Sequence, residues 1–364
     1  MDNATKVFTQ IPEFLEYLGP ECATAIAHTA PHGKLDLSPK FPFGCSRHYA
    51  DLIKKAAEPE ALLREILPHV AERENVAGFV DDPVGDLPAG KADCVIQKYD
   101  RRALIVSTAT CGARCRFCFR KNYPFQNIPD VARQVSDWLD THSDIWEVIL
   151  SGGDPLMLGP GEFRDLVEAI AMHSSVTTLR IHTRLPVMRP DMAMQHFELL
   201  RELPARFECV LVAHVDHPDE LDEESQMIFG QLKYSGWTLL NQSVLLKGVN
   251  DKAETLERLC RALFSQGVLP YYLHQLDHAN GVAHFEVSDE NARALIEEIR
   301  KRLPGYLVPK LVREIAGEKS KKPVYKMLDL DSGSGAGMTW EPSAATDRLR
   351  AGIAEATQSC HEVE

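Results

Sequence analysis

The chain has 364 residues, of which 44% are hydrophobic and 26% charged, with 22 glycines and 22 prolines spread along it. At about 150 residues per domain, this length predicts two or three domains or one large α/β barrel, with enough core to fold without a disulfide or metal. The net charge of −13 excludes broad, non-specific nucleic-acid binding, which depends on lysine and arginine neutralising phosphates.

The cysteine content and the apolar runs predict the compartment. Nine cysteines, an odd number, fit a reduced intracellular chain better than a secreted disulfide framework. No uncharged run reaches the ~18 residues that span a bilayer. The first residues, MDNATKVFTQIPEF, have neither the basic nor the apolar region of a signal peptide. We therefore expect a cytoplasmic protein without a membrane partner.

Residues 1–95 are predicted to form helical pieces separated by turns. In the segment 57–72, Leu62, Leu63, Ile66 and Leu67 lie along one helical face, which predicts a packed helix. The flanking segments HGKLDLSPKFPFG and DDPVGDLPAGK are rich in proline and glycine and are predicted to be loops. The region has no recognisable chemical motif, and we expect it to cover the following domain.

From residue 100 onward, short apolar or β-branched runs alternate with amphipathic segments of helical period. Strands are predicted at 103–108, 147–150, 178–183, 207–214, 238–246 and 271–277, and helices at 131–142, 253–267 and 291–303. Such alternation implies parallel strands joined by right-handed crossovers. Six units predict an α/β fold, a partial (β/α)6 barrel of the TIM type. In such barrels the functional residues follow the carboxyl ends of the strands.

The loop after the first of these strands carries three closely spaced cysteines. Cys111, Cys115 and Cys118 form the pattern C-x3-C-x2-C. Soft thiolates favour zinc or an iron–sulfur cluster, and structural zinc normally takes two C-x2-C pairs, whereas this chain has one. Three thiolates on a [4Fe–4S] cluster leave one iron open to bind a substrate or cofactor. The motif alone leaves zinc with a distant fourth ligand, or three incidental cysteines, as alternatives.

A glycine-rich turn, Ser151-Gly152-Gly153-Asp154, follows the second predicted strand. Glycines allow the backbone to approach a ligand closely, and a carboxylate such as that of Asp154 pairs with an ammonium group. Taken alone, such a turn is usually only a loop.

The cysteine pattern after the first strand of a six-unit barrel resembles that of the radical S-adenosylmethionine enzymes. From about residue 80 to 325, the chain resembles the lysine 2,3-aminomutase family, most closely the branch that makes (R)-β-lysine for elongation factor P. The matching segments are KYDRRALIV, CRFCFRKNYPF, SGGDPLM, RIHTRLPV, LNQSVLLKGVND, PYYLHQLDHANGVAHF and GYLVPKLVREIAGEKSKKP. The resemblance implies a [4Fe–4S] cluster on the three cysteines, with S-adenosylmethionine on its open iron. Near that cofactor it places Ser151, Gly152, Gly153, Asp154 and Gln242.

The resemblance also implies a pyridoxal phosphate held as a Schiff base by a lysine. The family's lysine lies two residues before a proline, which places it at Lys321 in GEKSKKP rather than at Lys319 or Lys322. An amine is the group required, because it attacks an aldehyde. Tyr99 and Arg102, just before the first predicted strand, match positions near this cofactor, and Arg102 is expected to bind its phosphate.

Three further positions match substrate-binding residues of the family. Arg120 is expected to bind the α-carboxylate, which a guanidinium can hold bidentately. Asp277, which closes the sixth strand, and Glu314 are expected to receive the ε-ammonium of lysine. Two carboxylates argue for a cationic side chain and against glutamate as substrate. Glu314 stands where free-lysine enzymes carry aspartate, so its longer side chain is expected to alter activity on free lysine.

Other polar residues receive no function from the resemblance. His214 and His217 form an H-x2-H pattern, which we interpret as hydrogen-bonded structure rather than a metal site. Arg184 is expected to point toward the barrel mouth. The tail has one cysteine, Cys360, so we expect no C-terminal zinc site joining subunits, and the oligomeric state stays open.

These features together predict an isomerase, an L-lysine 2,3-aminomutase that makes β-lysine for elongation factor P and its ligase, using a cellular one-electron reductant. The alternatives are a free-lysine aminomutase of catabolism or osmolyte synthesis, a radical enzyme without pyridoxal phosphate, and a non-catalytic zinc or iron–sulfur protein. The predicted organisation is an N-terminal helical region (1–95), a radical S-adenosylmethionine barrel (96–305), a cofactor-lysine segment (306–330) and a tail expected to be flexible (331–364).

Overall fold

The computed structural model of the protein describes residues 6–29, 34–92, 94–125 and 128–324. The predicted tail, 331–364, lies outside the described residues, and so does the expectation for Cys360. The end of the predicted cofactor-lysine segment lies outside them as well. The division of the chain into four parts stays a prediction.

The N-terminal region consists of short helices and two short strands that pair with each other. Its elements are β1 (Val7–Phe8), α1 (Ile11–Leu18), α2 (Ala23–Thr29), β2 (Cys45–Ser46), α3 (Arg47–Lys55) and α4 (Pro59–Ile66). Ser46 caps α3 by accepting a hydrogen bond from the Tyr49 N–H at 3.1 Å. The helix predicted at 57–72 is shorter, because Pro68 favours an extended Leu67, and a separate 3-10 turn follows it.

A ten-stranded sheet forms the body of the fold. It begins with two antiparallel strands, β3 (Gly90–Ala92) and β4 (Val95–Ile96). The six predicted strands follow as β5 (Arg102–Thr108), β6 (Glu147–Gly152), β7 (Thr178–Thr183), β8 (Glu208–Ala213), β9 (Thr238–Val244) and β10 (Leu269–His274). Each of these six pairs in parallel with the next one along the chain. The predicted α/β partial barrel is confirmed.

The sheet continues beyond the six predicted strands. β11 (Lys310–Arg313) pairs in parallel with β10, and β12 (Lys322–Pro323) pairs antiparallel with β11. The sequence pattern predicts neither strand, because runs of four and two residues are too short to show an alternation. Within the described part of the chain, β3 and β12 lie at opposite edges of the sheet without pairing, so the barrel is open.

Helices connect the parallel strands and pack against the sheet. They are α5 (Val131–Leu139), α6 (Pro160–Ala171), α7 (Leu185–Met188), α8 (Pro190–Gln195), α9 (Phe197–Glu202), α10 (Glu223–Tyr234), α11 (Ala253–Ser265) and α12 (Asp289–Arg302). The three helices predicted in this part of the chain are confirmed as α5, α11 and α12. Asp130 and Ser288 cap α5 and α12 through their side-chain oxygens. Over the described ranges, no helix has the length and apolar character needed to cross a bilayer.

The hydrophobic core runs without a break from the N-terminal helices into the barrel. One cluster of buried side chains extends from Phe8 to Phe285, and a second contains residues of α11 and α12. The Ser46 hydroxyl donates to the Met188 carbonyl and so ties the N-terminus of α3 to α7. All described residues belong to one unit, Met1–Tyr325. The N-terminal helices therefore share their core with the barrel strands.

Candidate active site

One cavity lies where the parallel strands reach their carboxyl ends. It has a volume of about 290 Å³, and its wall includes all fourteen residues predicted from the sequence. They are Tyr99, Arg102, Cys111, Cys115, Cys118, Arg120, Ser151, Gly152, Gly153, Asp154, Gln242, Asp277, Glu314 and Lys321. Residues far apart in the chain thus meet in one place, while their individual functions stay predictions.

The three predicted cluster cysteines lie in the loop between β5 and α5, here called the cysteine loop (residues 109–125). Their thiols are free and line the cavity. Burial raises the pKa of Cys115 to about 11, against the opposite effect of the Arg184 guanidinium, whose Nη1 lies 2.8 Å from the Cys115 Sγ. Burial and the neighbouring thiols also raise the pKa of Cys111. Thiolates bind soft metals, so the three thiols that line this cavity are candidate ligands for a metal centre.

The glycine-rich turn packs directly on the start of the cysteine loop. A Cβ atom at Gly153 would lie 2.2 Å from the Thr110 carbonyl oxygen, and Gly152 has a φ of +109°. The Gly153 N–H donates to the Thr108 carbonyl oxygen at 2.6 Å. Only glycine permits this backbone approach, so the turn holds the cysteine loop against the end of β6.

The side chain of Asp154 is buried and hydrogen-bonded within the protein. Its carboxylate accepts from the Thr183 hydroxyl at 2.8 Å and from the Arg184 N–H at 2.7 Å. Burial raises the pKa of Asp154 to about 6, and these hydrogen bonds oppose the rise. The observed contacts hold the end of β7, while a contact between Asp154 and a ligand ammonium stays a prediction.

Five charged side chains form a continuous chain of ion pairs along the cavity wall. The Arg120 Nε donates to one oxygen of Asp86 at 2.7 Å, and the Lys98 Nζ lies 2.6 Å from the other. Lys98 also lies 3.1 Å from one oxygen of Glu314, whose second oxygen lies 2.5 Å from the Lys321 Nζ. This ion-pair chain joins the predicted carboxylate-binding arginine to the predicted cofactor lysine.

Of the three lysines in the predicted cofactor segment, Lys321 alone lines the cavity. Lys319 pairs with the exposed Asp100 at 3.2 Å, and Lys322 pairs with Glu318 at 2.8 Å. Each ammonium group therefore has its own carboxylate partner. The segment presents a single amine to the cavity.

The two acidic residues predicted to bind an ammonium group differ in protonation. Burial alone would raise the pKa of Glu314, but the ammonium groups of Lys321 and Lys98 outweigh it and hold that pKa at about 2. Burial raises the pKa of Asp277 to about 7, against the attraction of Lys321. At neutral pH Glu314 is therefore ionised, whereas Asp277 has a pKa close to neutrality. A cation that enters beside Asp277 would favour its ionised form.

One nitrogen of the Arg120 guanidinium makes no hydrogen bond within the described residues. Its Nη1 donates to the Ser151 hydroxyl at 3.3 Å and to the Gly152 carbonyl at 3.4 Å. Nη2 makes no hydrogen bond to any of the residues that the structure describes. Because Arg120 lines the cavity, this nitrogen can bind a carboxylate there.

Tyr99 and Arg102, two of the predicted cofactor residues, lie at the N-terminal end of β5. Gln242, a third, lies on β9. The Arg102 guanidinium lies 4.9 Å from the centre of the Tyr99 ring, and its Nε is 3.9 Å from Glu147. Gln242 lines the cavity. Tyr99, Arg102 and Gln242 thus line the same cavity as Lys321.

Curated L-lysine 2,3-aminomutases are similar to this chain over most of its length. L-lysine 2,3-aminomutase of Haemophilus influenzae is 39% identical over 277 residues, which cover 75% of this chain and 81% of the relative. L-lysine 2,3-aminomutase of Escherichia coli is 39% identical over 289 residues, which cover 78% of this chain and 83% of the relative. The chain belongs to the lysine 2,3-aminomutase family. As a member of this family it is an isomerase, as the sequence predicts.

This aminomutase family member is also similar, at lower identity, to a further relative and to a solved structure. L-lysine 2,3-aminomutase of Clostridium subterminale is 28% identical over 281 residues, which cover 76% of this chain and 67% of the relative. A solved chain described as native anSMEcpe with bound AdoMet and Cp18Cys peptide has a TM-score of 0.41 and 13% identity, over 55% of this chain and 58% of that one. No family model matches the chain.

Several polar residues that line the aminomutase cavity were not singled out from the sequence, among them Asp86, Lys98, His182 and His274. Asp86 lies in a segment whose proline and glycine content indicates only a loop, and Lys98 begins the segment KYDRRALIV, in which no function was assigned to it. His182 and His274 lie near the carboxyl ends of β7 and β10, and a polar side chain in that part of a predicted strand was the available signal. Their buried Nε2 atoms have no hydrogen-bond partner in the described part of the chain. Burial and the nearby Lys321 hold the pKa of His274 well below its usual range, so its ring is neutral.

Arg184, for which no function was predicted, lies in a buried acidic cluster next to the cysteine loop. Its Nη2 contacts Glu65 of α4, lies 2.8 Å from Glu220 and 3.8 Å from Asp216. The His214 Nε2 lies 2.8 Å from the same Asp216, so this histidine takes part in a hydrogen bond. Arg184 thus connects an N-terminal helix to the Cys115 thiol.

Proposed function

We propose that this protein is a radical S-adenosylmethionine enzyme that uses pyridoxal phosphate to convert L-lysine into β-lysine, by moving the α-amino group to C3. We further propose that the product is the R enantiomer and serves, with a ligase, to modify elongation factor P. The observation that carries the proposal is a single cavity that presents three free thiols, one amine and two carboxylates. These groups match a metal cluster, an aldehyde cofactor and the ammonium group of lysine.

The donor groups fit the cofactors. Cys111, Cys115 and Cys118 would hold a [4Fe–4S] cluster with one open iron for S-adenosylmethionine. When bound, these two supply the carbon radical that removes a hydrogen atom from C3 of lysine. Lys321 would hold pyridoxal phosphate through its aldehyde, and when bound that cofactor supplies a π-system for the migrating amino group. The partnerless, buried Nε2 atoms of His182 and His274 also fit a cavity built for a polar ligand.

The charged wall of the cavity is suited to orient lysine. Arg120 can bind the α-carboxylate through Nη2, the nitrogen without a protein acceptor in the described residues. At the other end of the ion-pair chain, Glu314 already binds an ammonium, that of Lys321, at 2.5 Å. The ε-ammonium of lysine would take the place beside Glu314 that the Lys321 ammonium has in this structure.

Asp277 adjusts the charge of the cavity to a cationic substrate. Because its pKa is about 7, the buried carboxyl group can remain protonated while no ligand cation is near. A cation that binds beside it would lower this pKa, and the group would then lose its proton. Two carboxylates then face one ammonium group. A substrate with an acidic side chain would instead meet Glu314 as a like charge.

Anaerobic purification followed by assay tests the proposal. The wild-type protein is expected to carry about four irons per chain and a pyridoxal absorbance band, and to form β-lysine from L-lysine, S-adenosylmethionine and a one-electron reductant. Lys321→Ala should lose the band and keep the iron, while Cys118→Ser should lose iron and keep the band. Lys319→Ala, which removes only an exposed ion pair, is the matched control and should keep both. A product without a β-amino acid would refute the proposal.

The fate of the product is tested separately. Chiral chromatography should identify (R)-β-lysine, and the purified product should be ligated to elongation factor P by its ligase. An S product, or a product that the ligase does not accept, would favour a free-lysine aminomutase of catabolism or osmolyte synthesis.

A further inference from the structure

Two segments of the N-terminal region hold the cysteine loop by its backbone. The Arg114 N–H donates to the Gly44 carbonyl at 3.0 Å, and the Arg116 N–H donates to the Glu65 carbonyl at 2.7 Å. Arg114 and Arg116 flank Cys115, so both contacts lie one residue from a predicted cluster ligand. The cysteine loop is therefore shaped by chain that lies before the barrel.

The side chain of Arg116 is fully buried and uses every donor it has. Its Nε and Nη2 bind the two oxygens of Glu72 at 2.8 and 2.5 Å. Its remaining N–H groups bind the carbonyl oxygens of Phe41 and Pro42 at 3.1 to 3.2 Å. A guanidinium has five N–H donors, and all five are satisfied here. Arg116 has no donor left for a ligand, so its contacts hold the cysteine loop against the N-terminal region.

Glu72 binds a second cation of the same loop. Its Oε2 lies 3.0 Å from the Nζ of Lys121, which is 4% exposed and also donates to the carbonyl oxygens of Arg116 and Gly281. Arg116 and Lys121 stand on either side of Cys118. The carboxylate of Glu72 thus fixes the loop before and after the third cysteine, and one buried acid balances two buried cations.

A second path leads from the N-terminal region to the thiols. The carboxylate of Glu65 contacts Arg184, whose Nη1 lies 2.8 Å from the Cys115 Sγ. Glu65 therefore acts on the cysteine loop through its backbone carbonyl and through a guanidinium. Both paths begin in α4 or in the turn that follows it.

We infer that Glu72 is a positioning residue for the iron–sulfur cluster: through Arg116 and Lys121 it holds the cysteine loop in the conformation that lets three thiols bind one cluster. The N-terminal region is then part of the cluster site. The inference rests on the proposed cluster. Groups around metal ligands that fix ligand orientation typically change metal affinity by about 10- to 100-fold when removed.

The test compares three variants of the full-length protein, purified anaerobically and reconstituted with iron and sulfide. Glu72→Gln removes the charge that pairs with two cations, and Glu72→Asp keeps the charge but shortens its reach. Asp36→Asn is the matched control, since Asp36 makes an equally short bidentate pair with Arg73 in the same region, at 2.6 Å. The readouts are iron per chain, the electron paramagnetic resonance spectrum of the reduced cluster, and the rate of iron loss to a chelator. The pyridoxal absorbance band, which depends on Lys321 at the far edge of the sheet, reports whether the barrel is folded.

Glu72→Gln is expected to lose iron to the chelator about ten-fold faster than the wild type, with an altered resonance spectrum and a retained pyridoxal band. The rate of iron loss from Glu72→Asp should lie between those of the wild type and Glu72→Gln. Asp36→Asn should lose iron at the wild-type rate. If Glu72→Gln does not fold, Glu72→Asp decides the question by its chelator rate. Wild-type iron content, spectrum and rate in the Glu72 variants that fold would overturn the inference. A wild-type protein that binds no iron would instead overturn the proposed cluster, and the inference with it.

Discussion

Ionisation of the buried Asp277 carboxyl group lowers the stability of the ligand-free protein by a measurable amount. Its pKa is about 7 in the folded protein against an ordinary value of 3.8, because burial disfavours the carboxylate. The folded state therefore binds this proton more tightly than the unfolded state does, and stability falls as pH rises from about 4 to about 7. At about 1.4 kcal/mol for each tenfold change in proton affinity, the full effect reaches roughly 4 kcal/mol above pH 7.

Asp277→Asn removes this titration while keeping the size of the side chain. We expect the variant to be more stable than the wild type at pH 8, and its advantage to be roughly 2 to 3 kcal/mol larger at pH 8 than at pH 5. The measurement is urea unfolding of the cofactor-free protein at several pH values. Asp137→Asn, at an exposed position, is the control and should differ from the wild type by less than about 0.5 kcal/mol at every pH. A stability difference for Asp277→Asn that does not change with pH would refute the argument from burial.

Two further predictions concern Glu314 and Gly153. Glu314 has its pKa lowered from 4.5 to about 2, so it stabilises the fold above pH 4.5 and loses this effect as pH falls toward 2. Glu314→Gln should therefore cost roughly 3 kcal/mol at neutral pH in urea unfolding, and an equal cost at pH 3 would contradict the ion-pair argument. Gly153→Ala places a Cβ atom 2.2 Å from the Thr110 carbonyl oxygen. It should therefore lower the free energy of unfolding by roughly 1 to 3 kcal/mol, seen as a lower melting temperature, and reduce the iron content. Gly161→Ala, where no heavy atom lies within 4 Å of the added Cβ, should do neither.

Features that depend on neighbouring residues could be predicted from the sequence. The six parallel strands follow from short apolar runs at regular spacing, and the grouping of Cys111, Cys115 and Cys118 follows from their lying within eight residues. The placing of polar residues at the carboxyl ends of strands follows from the barrel itself. Lys321 was separated from its two neighbours by the family resemblance, because charge and composition alone indicate a surface turn.

Features that depend on distant partners could not be predicted. Asp86 lies in a loop without periodicity, and its two partners are 34 and 12 residues away along the chain. The pair of Glu72 and Arg116 spans 44 residues, and nothing local distinguishes it from a solvated ion pair. A buried charge needs a partner wherever the fold can supply one, and that requirement acts in three dimensions. The sequence therefore predicts which residue types meet at the barrel mouth but not which acid pairs with which base.

The ion-pair chain along the cavity wall implies that Lys321 competes with the substrate. Its ammonium lies 2.5 Å from Glu314, where the proposed function places the ε-ammonium of lysine. Without pyridoxal phosphate, this cation occupies the substrate's place. Glu314 already pairs with Lys98 through its other oxygen, so the ε-ammonium of lysine would be a third cation at one carboxylate and would be repelled. Cofactor-free Lys321→Ala should therefore bind L-lysine about ten-fold more tightly than the cofactor-free wild type, as measured by calorimetry. Norleucine has no ε-ammonium, so it should bind equally weakly to both proteins. Equal affinity of the two proteins for lysine would show that Glu314 is not the acceptor of the ε-ammonium, since removal of the competing cation would then have changed nothing at the substrate's position.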